Sequence, residues 1–327
     1  MNPSTPCDRL WRKRLDELSS VWPDFVGGRS AGLHKTRVAS RRIREALPIV
    51  GVCAPPSKVK KLNKKMRQLT RYLGPIRELD VELDILEGDF KSERVPGRAI
   101  EMVRREVASQ RQALRQELTE NVPVGDLKKL RKKLERVADG RGAKGKPLGA
   151  KAAARREEQW RGVLATRLLR RAKGLDAALD QAGPLYAPDR VHDVRISIKK
   201  LRYALEIAHD AGIPLASALV RTMKRQQERL GRLHDLEALL KHIRAAGGTP
   251  GVGSRVNDLT DLTAYADMLE RECRRLHANF VEHRAELIDC VKEVRQQLVP
   301  ALTTPPRRQA HVAGARRVPV RPRARAK

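Results

Sequence analysis

A fifteen-residue sequence occurs twice in the chain, as LHKTRVASRRIREAL at residues 33–47 and as VHDVRISIKKLRYAL at residues 191–205. Histidine and the basic residues return in the same register in the second copy. A second pair of sequences follows at nearly the same separation, MRQLTRYLGPIRELD at 66–80 and MKRQQERLGRLHDLE at 223–237. Two motifs that repeat in the same order predict two related halves of one architecture.

The first repeated sequence predicts a helix with one cationic face and one apolar face. The basic positions lie at offsets 0, 3, 7 and 10, which cover about 80° of a helix surface. The opposite side is apolar, so we expect it to enter a core. The cationic positions are His34, Arg37, Arg41 and Arg44, and His192, Arg195, Lys199 and Arg202; the apolar positions are Ile43, Ala46, Leu47 and Val50, and Val194, Ile198, Leu201 and Leu205.

The charge of the chain indicates the chemistry of its partner. Lys and Arg number 69 against 39 Asp and Glu, which gives a formal net charge of +30. Like charges one turn apart on a helix repel each other by a few tenths of a kcal/mol per pair. Phosphate oxygens relieve that repulsion, because guanidinium groups bind them in a bidentate manner and lysines add point charges. The pattern therefore predicts a polyanionic partner that bridges several such positions.

Helical spacing of apolar residues runs through most of the chain, clearly so at residues 59–76, and the chain is predicted to be all-α. The Gly-, Ala- and Lys-rich stretch 139–154 is predicted to be a flexible linker between a first helical half, 1–138, and a second, 155–302. Residues 303–327 hold eight basic residues and no acid, which predicts a disordered basic tail.

Residues 33–50 and 191–208 resemble the signature helix of the CHAD family, the conserved histidine alpha-helical domain, in both of its internal copies. Residues 73–80 and 230–237 look like the second motif of that family. The resemblance implies two helical bundles related by pseudo-twofold symmetry. It also implies a basic central groove between the bundles that binds inorganic polyphosphate.

The family motifs place polyphosphate-binding residues on both repeats of this chain. The resemblance assigns this role to His34, Arg37, Arg41, Arg42, Arg44, His192, Arg195, Lys199, Lys200 and Arg202. A second group of candidates, which an ordinary solvated helix face would also explain, comprises Lys64, Arg67 and Arg77 with their repeat partners Arg221, Lys224 and His234. We expect binding to tighten as the pH falls, because a polyanion raises the pKa of His34 and His192.

Two other functions fit parts of the sequence. Nucleic-acid binding uses the same phosphate contacts and suits the basic tail, but an aromatic content of 3% leaves few side chains to stack on bases. A metal-dependent phosphohydrolase would use the His-Asp pairs that begin at His192, His209 and His234. The first copy replaces an acid by Lys35 and an imidazole by Arg77, which disfavours that reading. We therefore predict a binding protein that is not an enzyme and that uses no cofactor or metal.

The cysteines and the distribution of apolar residues indicate the cellular compartment of the protein. The cysteines form neither a C-x-x-C pair nor a regular framework, which favours a reducing cytoplasm. No signal pattern occurs, and no apolar run approaches the ~18 residues that a membrane span requires. We expect a soluble, cytoplasmic protein that associates with polyphosphate granules. The cysteines are Cys7, Cys53, Cys273 and Cys290.

Overall fold

A computed structural model describes residues 5–92, 97–121, 125–138, 150–247 and 256–303, and every regular element in these ranges is a helix. The all-α prediction is therefore confirmed. The helices are α1 (Pro6–Val26), α2 (Ser30–Val50), α3 (Pro56–Lys91), α4 (Gly97–Asn121), α5 (Gly125–Ala138), α6 (Ala150–Ala182), α7 (Pro188–Asp210), α8 (Leu215–Gly247), α9 (Val256–Glu282), α10 (Arg284–Glu293) and α11 (Val299–Thr303), with a short 3-10 turn at Gly51–Cys53 and a π-helical segment at Val294–Leu298.

The two repeated sequences form α2 and α7, and each helix buries its predicted apolar side. All eight predicted core positions, including Ile43 and Leu47 in α2 and Val194 and Leu201 in α7, have an exposure of 0%. Complete burial of a Leu or Ile side chain stabilises a fold by about 1.5–3 kcal/mol. This burial fixes the rotation of each helix about its axis, so the cationic side faces away from the core.

One hydrophobic core extends through both halves of the sequence. Its buried members run from Cys7 in α1 to Leu302 in α11, and α2 packs on α6 and α7 as well as on α1 and α3. A second core joins the C-terminal parts of α3 and α8 to α4 and α9, around Leu86, Leu239 and Tyr265. The two halves are therefore not independent hydrophobic units, and α2 and α7 are held beside each other.

Helix packing follows the same order in both halves. Helices α1 to α4 pack one on the next in chain order, and α6 to α9 do the same. In each series the second helix carries the first repeated sequence and the third carries the second one. None of the described helices combines the length and the apolar composition that a membrane-spanning segment requires.

The predicted linker at 139–154 is too long at its C-terminal end. Helix α6 begins at Ala150, so the last five residues of that stretch are helical. Their sequence is AKAAA, and alanine has the highest helix propensity of any residue, which outweighs the lack of apolar periodicity. Residues 139–149 lie outside the described residues. The predicted tail does as well, except for Thr303, which ends α11.

Candidate functional site

Four basic side chains from the two repeated helices act on one another and form what we call the central cationic cluster. Arg37 and Arg41 belong to α2, and Arg195 and Lys199 belong to α7. Burial, together with the charges of Arg41 and Arg195, lowers the pKa of Arg37 to about 10. Burial and the charge of Arg41 likewise lower the pKa of Arg195, although Asp235 partly opposes them. Cations from both repeats therefore share one small region.

Lys199 is the most deeply buried member of the central cationic cluster, with 8% of its surface exposed. Burial and the charges of Arg195, Arg41 and Arg37 lower the pKa of its ammonium group to about 6. Lys199 forms no ion pair with any residue that the structure describes. The charged form of its amine is therefore disfavoured in the free protein, and an incoming anion would favour its protonation.

Each half supplies one carboxylate to the edge of the central cationic cluster. Arg37 Nη2 lies 3.4 Å from Glu78 Oε1 on α3, and Arg195 Nη2 lies 3.8 Å from Asp235 Oδ1 on α8. Glu78 and Asp235 occupy equivalent positions of the second repeated sequence. Both separations exceed those of a strong charge-assisted hydrogen bond, so two loosely held acids only partly offset the cations.

Histidines lie beside the cluster in both halves. His192 and His234 bring their Nδ1 atoms within 3.2 Å of each other, and their ring centroids lie 4.6 Å apart. Burial and the charge of Arg195 lower the pKa of both imidazoles, that of His234 to about 3. In the first half, burial and then the charge of Arg77 lower the pKa of His34. These shifts favour the neutral imidazoles in the absence of a bound anion.

A cleft of 590 Å³ opens next to the paired histidines, between α3, α4, α7 and α8. Its walls carry carboxylates and imidazoles as well as apolar side chains, so it is not uniformly cationic. Within the described ranges, no three or more His, Cys, Asp or Glu side chains are grouped so that they could hold a metal ion. The polar side chains that line the cleft are Glu78, Glu82, Gln110, Asp189, His192, His234, Glu237, Lys241 and His242.

Two of the predicted binding arginines instead join the helices to each other. Arg42 Nε lies 3.0 Å from Glu206 Oε2, and its Nη1 lies 3.3 Å from Glu17 Oε2. Arg202 donates to Glu206 and, at 2.8 Å, to Gln227 Oε1. The reason lies in the packing, since α1 and α7 place these acids beside the arginines. Both residues are therefore neutralised, although the sequence pattern groups them with the binding residues.

The remaining predicted residues lie outside the central cationic cluster. Arg44 is half-buried near Arg67, and burial followed by the charge of Arg67 lowers its pKa. Lys64, Arg67 and Lys200 are exposed and form no ion pair with a described residue. Three others have a polar partner: Arg77 Nη1 lies 3.8 Å from Asp84, Arg221 donates to Ser217 at 2.8 Å, and Lys224 Nζ lies 3.8 Å from Glu228.

Three acids outside the predicted set of polyphosphate-binding residues pair with the cations of that set. Glu78 and Asp235 could be found from sequence, because each directly follows the basic or histidine position of the second motif. Glu206 has no such signal. Its equivalent position in the first repeat is Pro48, so the repeat alone does not indicate its role.

Comparison with known proteins places this arrangement in a family. The family model of the CHAD domain matches residues 9–244. The chain belongs to the CHAD family. The matched range contains both copies of both repeated sequences and all four residues of the central cationic cluster. The resemblance to the CHAD family that the sequence motifs indicate is therefore confirmed.

The CHAD fold is also found by structural comparison. The crystal structure of the CHAD domain from the plant Ricinus communis matches with a TM-score of 0.52 and 22% sequence identity. The match covers 88% of this chain and 89% of that chain, so it spans nearly the whole of both CHAD proteins. No curated protein matches the chain.

Proposed function

We propose that this CHAD protein is a non-catalytic binding module for inorganic polyphosphate, which it holds in a basic central groove between α2 and α7. One observation carries the proposal. Arg37 and Arg41 from the first repeat and Arg195 and Lys199 from the second are brought together, and the two acids that pair with them, Glu78 and Asp235, lie at long ion-pair distances. Cations gathered in this way, one of them buried and three partly buried, repel each other, and a bound anion would offset that repulsion.

The chemistry of the central cationic cluster suits a chain of phosphates. Each guanidinium presents a planar pair of donors to two phosphate oxygens, and the amine of Lys199 adds a further donor. The cations come from two helices, so one flexible polyanion can contact both repeats at once. Linking several weak contacts in one polymer raises the overall affinity well above that of a single phosphate.

The proposed groove follows an approximate twofold relation between the repeats. Arg37 with Glu78 and Arg195 with Asp235 are equivalent pairs at equivalent positions, which supports such symmetry. The relation is imperfect, because His192 contacts His234 whereas its counterpart His34 neighbours Arg77. In the cell, this CHAD protein would associate with polyphosphate granules in the cytoplasm.

The proposal is tested by measuring the affinity of the full chain for long-chain polyphosphate over a range of salt concentrations. Each phosphate contact adds a counterion to the salt dependence, so we expect a steep slope, with tripolyphosphate binding much more weakly. Duplex DNA serves as the competitor, with and without residues 303–327, because the basic tail could bind nucleic acid by itself. Displacement of polyphosphate by DNA at comparable concentration from the tail-less protein would favour a nucleic-acid partner.

A charge-matched pair of variants assigns the binding to the cluster. We expect the combined change of Arg37, Arg41, Arg195 and Lys199 to Gln to abolish polyphosphate binding while the helical circular dichroism is retained. The control removes four charges from exposed arginines elsewhere and should keep most of the affinity. Equal losses in both variants would show that only net charge matters. The control residues are Arg104, Arg105, Arg274 and Arg275.

A further inference from the structure

The N-terminal part of α3 carries a dense positive surface that its repeat counterpart lacks. Residues 58–71 contain seven basic residues and no acid, whereas the equivalent residues 215–228 of α8 contain three basic residues and Glu228. All seven α3 side chains are exposed, and none forms an ion pair with a described residue. They are Lys58, Lys60, Lys61, Lys64, Lys65, Arg67 and Arg71.

The equivalent cations of α8 all have partners. Arg221 donates to Ser217 at 2.8 Å, Lys224 Nζ lies 3.8 Å from Glu228, and Arg225 Nη2 lies 3.6 Å from Glu286. The two halves therefore share the central cationic cluster but differ beside it. In α8 each of the three cations has a polar partner, two of them a carboxylate, whereas the seven α3 cations form no ion pair with a described residue.

Four of the α3 cations form one stripe. Lys60, Lys64, Arg67 and Arg71 follow one another at spacings of four, three and four residues, which places them on a single helix face. The opposite face is buried through residues such as Leu62. The stripe is roughly 17 Å long at 1.5 Å per residue. A solvated helix face of this length ordinarily contains acids that relieve the repulsion, and this one contains none.

The α3 stripe is continuous with the central cationic cluster. Arg44 lies one turn beyond Arg41 on α2, and burial followed by the charge of the nearby Arg67 lowers its pKa. At the other end of the α2 and α3 contact, Arg37 lies 3.4 Å from Glu78. The two helices thus run side by side. Arg41, Arg44 and Arg67 form a row of positive side chains that leads from the central cationic cluster to the exposed stripe.

We propose that the α3 stripe extends the binding site on one side only. A long polyanion continues from the central cationic cluster along α3 of the first half. This proposal rests on the proposed function and specifies it further, because it makes the protein selective for chains long enough to reach α3. Short chains occupy the cluster alone. The equivalent part of α8 contributes less, since it holds three cations rather than seven and each of these has a polar partner.

The test compares two triple variants of the full chain that remove the same charge from exposed surfaces of equivalent helices. One changes Lys60, Lys64 and Arg67 to Gln, and the other changes Arg221, Lys224 and Arg225 to Gln. Binding of long-chain polyphosphate and of tripolyphosphate is measured for both variants against the unmodified protein at several salt concentrations. Circular dichroism verifies that both variants fold.

We expect the affinity of the α3 variant for long chains to fall at least tenfold. The magnitude of its slope of log affinity against log salt concentration should decrease by about 2. Its affinity for tripolyphosphate should fall by less than about threefold, and the α8 variant should lose far less for long chains. Equal losses in the two variants, or equal losses for long and short chains, would overturn the one-sided extension. Failure of the unmodified protein to bind any polyphosphate would instead overturn the proposed function.

Discussion

Glu206 of α7 accepts a hydrogen bond from Arg42 of α2, with 3.0 Å between Oε2 and Nε. The same carboxylate accepts a bond from Arg202 on its own helix, and only 8% of Glu206 is exposed. One buried acid therefore joins the two repeated helices and pairs with an arginine from each. Within one sequence pattern, some arginines therefore form ion pairs inside the protein, whereas others remain able to bind an anion.

The change Glu206→Gln should destabilise the protein by about 2 kcal/mol, because Arg42 and Arg202 would lose their shared negative partner in a mostly buried position. Thermal unfolding measures the effect. The matched control is Glu228→Gln, which removes an exposed acid 3.8 Å from Lys224 and should change stability by less than about 0.5 kcal/mol. Indistinguishable melting temperatures for the two variants would contradict a structural role for Glu206.

Arg41 and Arg42 are sequence neighbours with different expected roles. Arg41→Gln should weaken polyphosphate binding by about tenfold and leave the melting temperature unchanged or higher, because Arg41 has no ion pair with a described residue. Arg42→Gln should lower the melting temperature and weaken binding by less than about threefold. Parallel titration and thermal denaturation measure both effects, and the reverse assignment would remove Arg41 from the site.

Lys199→Met should stabilise the free protein while it weakens binding. The folded-state pKa of Lys199, about 6, lies below the ordinary value of 10.5, so the unfolded chain binds more protons between these values. The free energy of unfolding therefore rises as the pH rises through that window, and at pH 7 the buried lysine destabilises the fold. We expect Lys199→Met to raise the melting temperature by roughly 2 °C at pH 7. A lower melting temperature would contradict the assigned burial and charge repulsion.

Polyphosphate binding should tighten as the pH falls from about 8 to about 7, by at most about tenfold for one proton. A bound anion raises the pKa of Lys199, so binding takes up a proton in this range, in the same direction as the effect expected from the histidines. Lys199→Arg should flatten this dependence, because arginine is charged throughout. Isothermal titration calorimetry in buffers of different ionisation enthalpy measures the number of protons taken up on binding. An unchanged proton uptake in Lys199→Arg would show that a group other than Lys199 takes up the proton.

The faces of the repeated helices are local properties and could be read from the sequence. Helical spacing alone separates the buried side of α2, such as Ile43 and Leu47, from its cationic side, and the same holds for α7. The second copy of the pattern then indicates that Arg37 and Arg195 are equivalent. These inferences need no knowledge of packing, because the periodicity of a helix fixes which residues share a face.

Residues that are distant in the sequence determine whether each cation is paired with an acid and how far its pKa is shifted. Arg42 and Glu206 are separated by 164 residues, and their contact exists only because α2 and α7 pack together. The pKa of Lys199 is likewise lowered by burial in the packed helices and by charges that include Arg41 and Arg37 of the other repeat. Sequence spacing therefore determined which side chains share a helix face. Only the tertiary structure decided which of them meet an acid, which meet another cation and which remain open, because electrostatic interactions depend on distance in space and on burial.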